Sequence, residues 1–219
     1  MARPRKIPDC NDGTALSKRQ CILAAAQQVF MEMGYAMASM DAVASRANVS
    51  KATIYAYFDG KRALFEHIVR ERCQHVSGVA DMPSEAVDGR AALRQLATRL
   101  LGLILSPEAL AMHRVVVAEA PRLPELGEAF YAAGPVPILA SIARMLNELT
   151  RRGLLSVPEA HAALLAELFL NMLKGDVHTR ALLGVPSSHD DHHALLDMAV
   201  DLVMTRYAPQ SAAKRALNR

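Results

Sequence analysis

The chain is poor in the features that announce an enzyme, a secreted scaffold or a membrane protein. Its three cysteines, Cys10, Cys21 and Cys73, are odd in number and widely spaced. They match neither the disulfide framework of a small secreted domain nor the spacing of a metal or redox site, and read as reduced thiols of a cytoplasmic protein. No apolar run looks long and uninterrupted enough to cross a bilayer, so no membrane partner is expected. The amino-terminal segment lacks the apolar core of a signal peptide. There is no glycine-rich phosphate loop, no paired-carboxylate motif and no Ser/His/Asp ordering, which leaves catalysis without candidate residues and implies no cofactor. Clustered β-branched residues and alternating runs are scarce too, which argues against a sheet.

What is present is helix-forming and unevenly charged. Residues 1–62 hold nine Lys/Arg against five Asp/Glu, a balance of +4, whereas residues 63–219 hold sixteen against seventeen, a balance of −1. Positive charge gathered at one end suits a polyanion, because neutralising phosphates drives affinity. Residues 1–16 carry Arg3, Arg5 and Lys6 without periodicity. They read as a disordered basic arm, either a minor-groove or phosphate contact or a solvated tail.

Residues 39–63 read as two short helices joined by a tight turn. Met40, Val43, Ala44 and Ala47 form one apolar stripe. Asn48 follows, a residue that tolerates the left-handed conformation a turn needs. Ser50 is placed to cap a second helix, roughly residues 51–58, with Val49 and Ile54 as a hydrophobic staple. At about 100° per residue, Ile54 and Phe58 point inward, while Ala52, Thr53 and Ala56 point out, flanked by Tyr55 and Tyr57. That face is small in the middle and polar at its edges, as a helix lying in a major groove requires. Lys61 and Arg62 open the next helix, where cations oppose the macrodipole, so they are expected to face an external anion. Upstream, Ser17 and Gln20 fit a capping box, and Ile22, Ala26, Val29, Phe30 and Met33 stripe a first helix ending near Gly34.

The run Asp41-Ala-Val-Ala-Ser-Arg-Ala-Asn-Val-Ser-Lys-Ala-Thr-Ile-Tyr-Ala-Tyr-Phe-Asp-Gly-Lys-Arg-Ala-Leu-Phe65 resembles the TetR/AcrR family of bacterial transcriptional regulators. The likeness rests on Val43-Ala44, the Ala-x-Val-Ser-Lys turn and the Tyr-x-x-Phe-x-x-Lys signature, and it extends back through Phe30, Gly34 and Tyr35. Asn48 stands where the family usually has glycine, and Ala52 and Ala56 stand where many relatives carry glycine and a larger aromatic or histidine. Any family contact through a side chain at position 56 is therefore missing. Residues 113–131 are similar to the carboxy-terminal domains of one AcrR-like branch. The resemblance implies an all-α fold: three short helices that bind DNA, then a larger helical domain for ligand binding and dimerisation.

The remaining chain fits that implication. Helical stripes separated by Pro83, Gly89, Pro107, Pro121, Pro124, Gly134-Pro135, Gly153 and Pro158 bring the count to about nine helices. The expected division is an arm (1–16), a helix-turn-helix domain (17–62), a regulatory and dimerisation domain (63–208) and a disordered tail (209–219). Ala162, Leu165, Phe169 and Leu173, with Leu195, Leu196, Ala199, Leu202 and Val203, form broad stripes on the last two helices. They either close the core or build a two-fold interface, and the dimer is favoured because one head reads only a half-site. Met112, Val116, Phe130, Leu168 and Met172 are candidate walls of an apolar cavity, although such stripes also make plain core. Glu119, His113, Tyr131, Asn171 and His178 are candidate polar groups to orient a ligand, Glu119 being equally suited to an ion pair with Arg114. His189-Asp190-Asp191-His192-His193 carries ligands suited to Zn or Ni, but it lies where a loop becomes a helix, and Asp190 or Asp191 also suits an N-cap. No metal is assigned to it.

The expected function is a homodimeric, ligand-responsive repressor on a palindromic operator. Ser39, Ser50, Lys51, Tyr55, Tyr57 and Lys61 would hold phosphates, and Thr53 with the methyls of Ala52 and Ala56 would meet base edges. Arg46 is either a phosphate contact or a solvated residue. Two alternatives stand beside this: a constitutive or architectural DNA-binding protein with a vestigial pocket, and a helical small-molecule carrier without specific DNA recognition.

Overall fold

The computed structural model describes residues 17–77, 88–186 and 188–209. The expected basic arm, Cys10, the Met82–Pro83 linker and the tail beyond Pro209 lie outside them. The described residues are helical, without strands. The elements are α1 (Lys18–Met37), α2 (Met40–Ala47), α3 (Lys51–Tyr55), α4 (Lys61–Ser77), α5 (Gly89–Ile104), α6 (Pro107–Glu119), α7 (Pro124–Ala133), α8 (Pro135–Arg151), α9 (Glu159–Leu183) and α10 (His189–Tyr207). The one the sequence left as a break is α7. Pro124 starts it rather than ending a helix, since the first helical position needs no N–H.

Local chemistry sets several boundaries. Ser17 and Gln20 form the capping box of α1. Asp88 accepts the Arg90 N–H at the start of α5. Gly175, with φ 42° and ψ −150°, breaks α9 without ending it, so the helix runs eight residues further than the glycine suggests. α10 begins at His189, which puts Asp190 and Asp191 inside its first turn instead of at a cap.

The chain divides into two compact units, Met1–Arg72 with Ala111–Gly134, and Cys73–Leu110 with Pro135–Arg219. This differs from a cut after residue 62, because most of α6 and all of α7 join the first unit. In that unit α1 packs on α2 and α2 on α3. Phe30, Tyr35 and Phe65 form a ring cluster with centroids 5.3–5.9 Å apart. Ile54 and Phe58 are buried as their helical phase requires. Each such side chain contributes roughly 1.5–3 kcal/mol of burial, enough to hold a helix as short as α3 that could not stand alone.

In the second unit α9 packs against α5, α8 and α10, and α10 also packs on α5. Gly89 lets the start of α5 approach the backbone after α8: a Cβ there would lie 2.5 Å from the Leu154 carbonyl oxygen. Arg90 pairs with Asp201 and Arg94 with Asp197, tying α5 to α10 on the surface. The expected dimer stripe is corrected here. Ala162, Leu165, Phe169, Leu173, Leu196, Ala199 and Val203 are all buried within the chain's own core. Leu195 is half-buried beside Gly175, and only Leu202 is exposed. A periodic stripe reveals a wide apolar face, not which neighbour covers it.

The membrane expectation also needs correcting on composition. Pro124–Arg151 is long and apolar enough to cross a bilayer, with mean hydropathy 1.4. Within it α8 is amphipathic: it buries Ile138, Ile142, Met145, Leu146 and Leu149 and exposes Arg144 and Arg151. That is the pattern of a core helix.

Candidate nucleic-acid interface

Three local devices build the α2–turn–α3 surface. Ser39 caps α2, its Oγ accepting the Ala42 N–H at 3.1 Å. Asn48 ends α2 in the left-handed conformation, φ 53° and ψ 45°. Ser50 caps α3 by accepting the Thr53 N–H at 3.0 Å, and its Oγ lies 2.8 Å from Thr53 Oγ1. α3 is shorter than the stretch 51–58 expected for it. After Tyr55 the chain tightens, with the Tyr57 and Phe58 N–H groups both donating to the Ile54 carbonyl, so Tyr57 belongs to the turn beyond the helix.

The face turned to solvent matches its helical phase. Lys51, Ala52, Tyr55, Ala56 and Tyr57 are exposed and Thr53 is half-exposed. Ser39 and Ser50 are exposed as well, each using its oxygen as acceptor for a backbone N–H and keeping a hydroxyl hydrogen. Small side chains at Ala52 and Ala56 leave the helix surface low, with tyrosines standing at its edge.

The three predicted cations do not behave alike. Lys51 pairs at 2.9 Å with Asp41, whose carboxylate raises the lysine pKa; both side chains are exposed. Water and salt screen an exposed pair of this kind, so a phosphate can replace Asp41. Arg46 is neither a solvated residue nor a ready phosphate contact. Its guanidinium grips Glu32 of α1 through two hydrogen bonds, at 3.0 and 2.6 Å, and reaches Gln28 Oε1 at 3.1 Å.

Lys61 points inward. Its ammonium donates to the carbonyls of Tyr35 (2.8 Å), Ala36 (3.2 Å) and Ala38 (3.1 Å) and sits 4.4 Å above the Tyr35 ring. Burial lowers its pKa, opposed by the Glu119 charge. The ammonium thus faces the carbonyl dipoles at the end of α1, not an external anion. Arg62 pairs with Glu66 at 2.8 Å along α4. Glu32 and Asp41 could not be read as partners from residue spacing, because they are fourteen and ten residues from their cations and share no helix with them.

The regulatory candidates separate between the two units. In the first, Met112 and Val116 are buried, His113 and Phe130 are half-exposed with ring centroids 5.7 Å apart, and Tyr131 is exposed. Glu119 is turned to the backbone of α1, where both carboxylate oxygens accept the Ala36 N–H at 3.0–3.1 Å. In the second, Leu168 and Asn171 are exposed, Met172 is half-buried and His178 is buried. Tyr131, Leu168 and Asn171 therefore lie on the surface instead of a cavity wall. A cleft of about 360 Å³ between α4 and α7 is lined by Arg62, Glu66, Arg70, Glu128, Ala129, Ala132 and Ala133, a charged rim unlike the apolar cavity expected. Of His189-Asp190-Asp191-His192-His193, only the last two side chains are described. Among the described residues, no three His, Cys, Asp or Glu side chains gather as a metal site.

Comparison with known proteins agrees with this geometry at both ends. Residues 22–68 match the family profile of bacterial regulatory proteins of the tetR family. Residues 91–209, more than half of the chain, match the carboxy-terminal domain of AefR-like transcriptional repressors. The transcriptional activator FasR of Mycolicibacterium smegmatis is 37% identical over 78 residues, 35% of this chain and 36% of that protein. The chain thus spans little more than a third of the length of the curated relatives it matches. Two solved structures match nearly end to end. One, from Mesorhizobium loti and described as a TetR-family transcriptional regulator, has 30% identity and a TM-score of 0.75, covering 87% of this chain and 96% of the other. The second, the flavonoid-responsive regulator FrrA, has 28% identity and a TM-score of 0.71, covering 88% and 97%.

Proposed function

Because the chain belongs to the TetR family of bacterial transcriptional regulators, we propose that it acts as a homodimeric repressor released from a palindromic operator by a small apolar or amphipathic molecule. The observation that carries the DNA-binding part is the α2–Asn48–α3 unit, with Ala52 and Ala56 low on the outward face and Thr53, Tyr55, Tyr57 and Lys51 around them. Ala52 and Thr53 meet base edges, and Lys51, Ser39, Ser50 and the tyrosines meet phosphates. Arg46 and Lys61 support this surface from behind.

Two heads on a two-fold axis need a dimer. The second unit offers an apolar face for one: Leu164 and Leu168 on α9 and Met198 and Leu202 on α10, each at least half exposed. This face lies opposite the buried stripe and takes its place in the proposal. For the effector, Met112, Val116, His113 and Phe130 on α6 and α7 of the first unit remain the candidate groups. The flavonoid-responsive relative supports a flat, mostly apolar molecule. The AefR-like match favours repression, whereas FasR activates; a reporter fused to the operator decides between them.

The test is in-vitro selection of random duplex DNA by the full-length protein at near-physiological salt. Enrichment of a palindrome supports the proposal, and weak, salt-sensitive binding without enrichment sinks it. Release is tested separately. A ligand that binds without changing operator affinity removes that part, because coupling between two sites must act equally in both directions.

A further inference from the structure

The helix-turn-helix is joined to α1 by a short break, residues 34–38, whose geometry only glycine provides at its first position: Gly34 has φ 76° and ψ 163°. The break is held from two sides. Lys61, at the start of α4, donates to the carbonyls of Tyr35, Ala36 and Ala38. Ser39, the next residue, is the cap of α2. Lys61 therefore ties the chain leaving the helix-turn-helix to the chain leading into it, closing residues 39–60 at their base.

Glu119 holds the same break from the other side. It is the last residue of α6, and it takes the Ala36 N–H on both carboxylate oxygens across a separation of 83 residues. A carboxylate at the carboxy-terminal end of a helix meets an unfavourable dipole. Here the Ala36 N–H, with the Lys61 ammonium on the same peptide's carbonyl, offsets it. The approach is close: a Cβ on Gly34 would come within 2.8 Å of Glu119 Oε1.

We propose that Glu119 is a positioning residue for DNA recognition, fixing the base of the helix-turn-helix to the end of α6 through the Ala36 N–H. Resting on the regulator function proposed above, this gives α6 a direct hold on α1 and α2 that does not pass along α4. Glu119 touches no DNA. Its removal lets the break at 34–38 relax, and the reading helix then spends less time in the orientation the duplex selects.

The experiment compares wild type, Glu119→Ala and Glu119→Gln as full-length proteins, using the duplex that wild type enriches from a random library. Glu119→Ala is expected to weaken binding about tenfold with an unchanged salt slope, because no phosphate contact is lost. Amide exchange at Ala36 is expected to speed up about tenfold or more while Ile22–Phe30 stays as slow as before, a pattern a general loss of stability would not produce. Glu119→Gln keeps an acceptor oxygen and is expected to stay within about threefold of wild type. Wild-type affinity and wild-type Ala36 exchange in Glu119→Ala overturn the proposal, as does acceleration of all amides together. Should Glu119→Ala not fold, Glu119→Asp, whose carboxylate is drawn back by one methylene, carries the same two expectations at smaller size. If wild type enriches no duplex, the regulator function fails, and Ala36 exchange still decides whether Glu119 holds the turn.

Discussion

Arg46 and Glu32 face each other across the α1–α2 packing as a two-pronged ion pair, with Nη2 2.6 Å from Oε2 and Nη1 3.0 Å from Oε1. The pair joins the last turn of α2, just before the left-handed turn at Asn48, to the part of α1 just ahead of its break at Gly34. It fixes the tilt of α2 and leaves the guanidinium facing its own protein. Arg46→Ala is therefore expected to cost about 0.2–1 kcal/mol of stability, the range for partly exposed pairs. The salt slope of DNA binding should stay as it is in wild type. Thermal melts and a salt titration check both, and a slope lower by one would return Arg46 to the phosphates.

The same pair has a pH signature. The Arg46 hydrogen bond holds the Glu32 carboxyl below its ordinary value, with burial opposing weakly. A carboxylate whose folded pKa is lowered adds stability above its unfolded pKa and loses it as pH falls through the folded value. The stability gap between wild type and Arg46→Ala should be full at neutral pH and should close in acid, below about pH 4. Solvent exposure keeps the gap small. Denaturant melts at pH 7 and pH 3 measure it, and a gap that widened in acid would contradict the pairing.

Lys51 and Lys61 should separate cleanly. Lys51→Ala is expected to weaken binding to every duplex and lower the salt slope by about one, with little change in melting temperature. Lys61→Ala strips a cation from three carbonyls and should lower the melting temperature while leaving the slope nearly intact. An exchange of the two phenotypes would place Lys61 on the DNA.

Thr53→Val keeps the shape of the side chain and removes the hydroxyl, which lies 2.8 Å from Ser50 Oγ. It should alter preference at one or two base positions, by about 1–3 kcal/mol each, and leave the salt slope alone. Selection repeated with the variant tests this: an unchanged consensus removes Thr53 from the base edges.

On α9, neighbouring residues should behave oppositely. Phe169 is fully buried, so Phe169→Ala is expected to lose about 3–5 kcal/mol of folding stability. Leu168 is half exposed, and Leu168→Glu paired with Leu202→Glu should leave a folded monomer. Sedimentation distinguishes the cases. A double variant that still sediments as a dimer moves the interface elsewhere.

The helix-turn-helix was legible in the sequence because its determinants are local. Ser17, Ser39 and Ser50 act within three residues of themselves, Asn48 answers one φ/ψ requirement, and the burial of Ile54 and Phe58 follows from helical phase. The partners of Arg46, Lys51 and Lys61 were not legible. Glu32 and Asp41 lie outside any helical spacing, and carbonyls and a backbone N–H leave no mark in residue type. The same limit explains α9 and α10, where Leu164 and Leu165 are equally apolar and only packing against α5 and α8 decides which is covered.

The exposed tyrosines of the reading surface give the molecule an optical handle. The chain has five tyrosines and no tryptophan, so no indole masks phenol emission. Tyr55 and Tyr57 stand in solvent at the edge of α3, whereas Tyr35 lies buried beneath the Lys61 ammonium. A duplex seated on that surface changes the surroundings of the first two and leaves the third alone, so unlabelled protein reports its own occupancy by ultraviolet fluorescence.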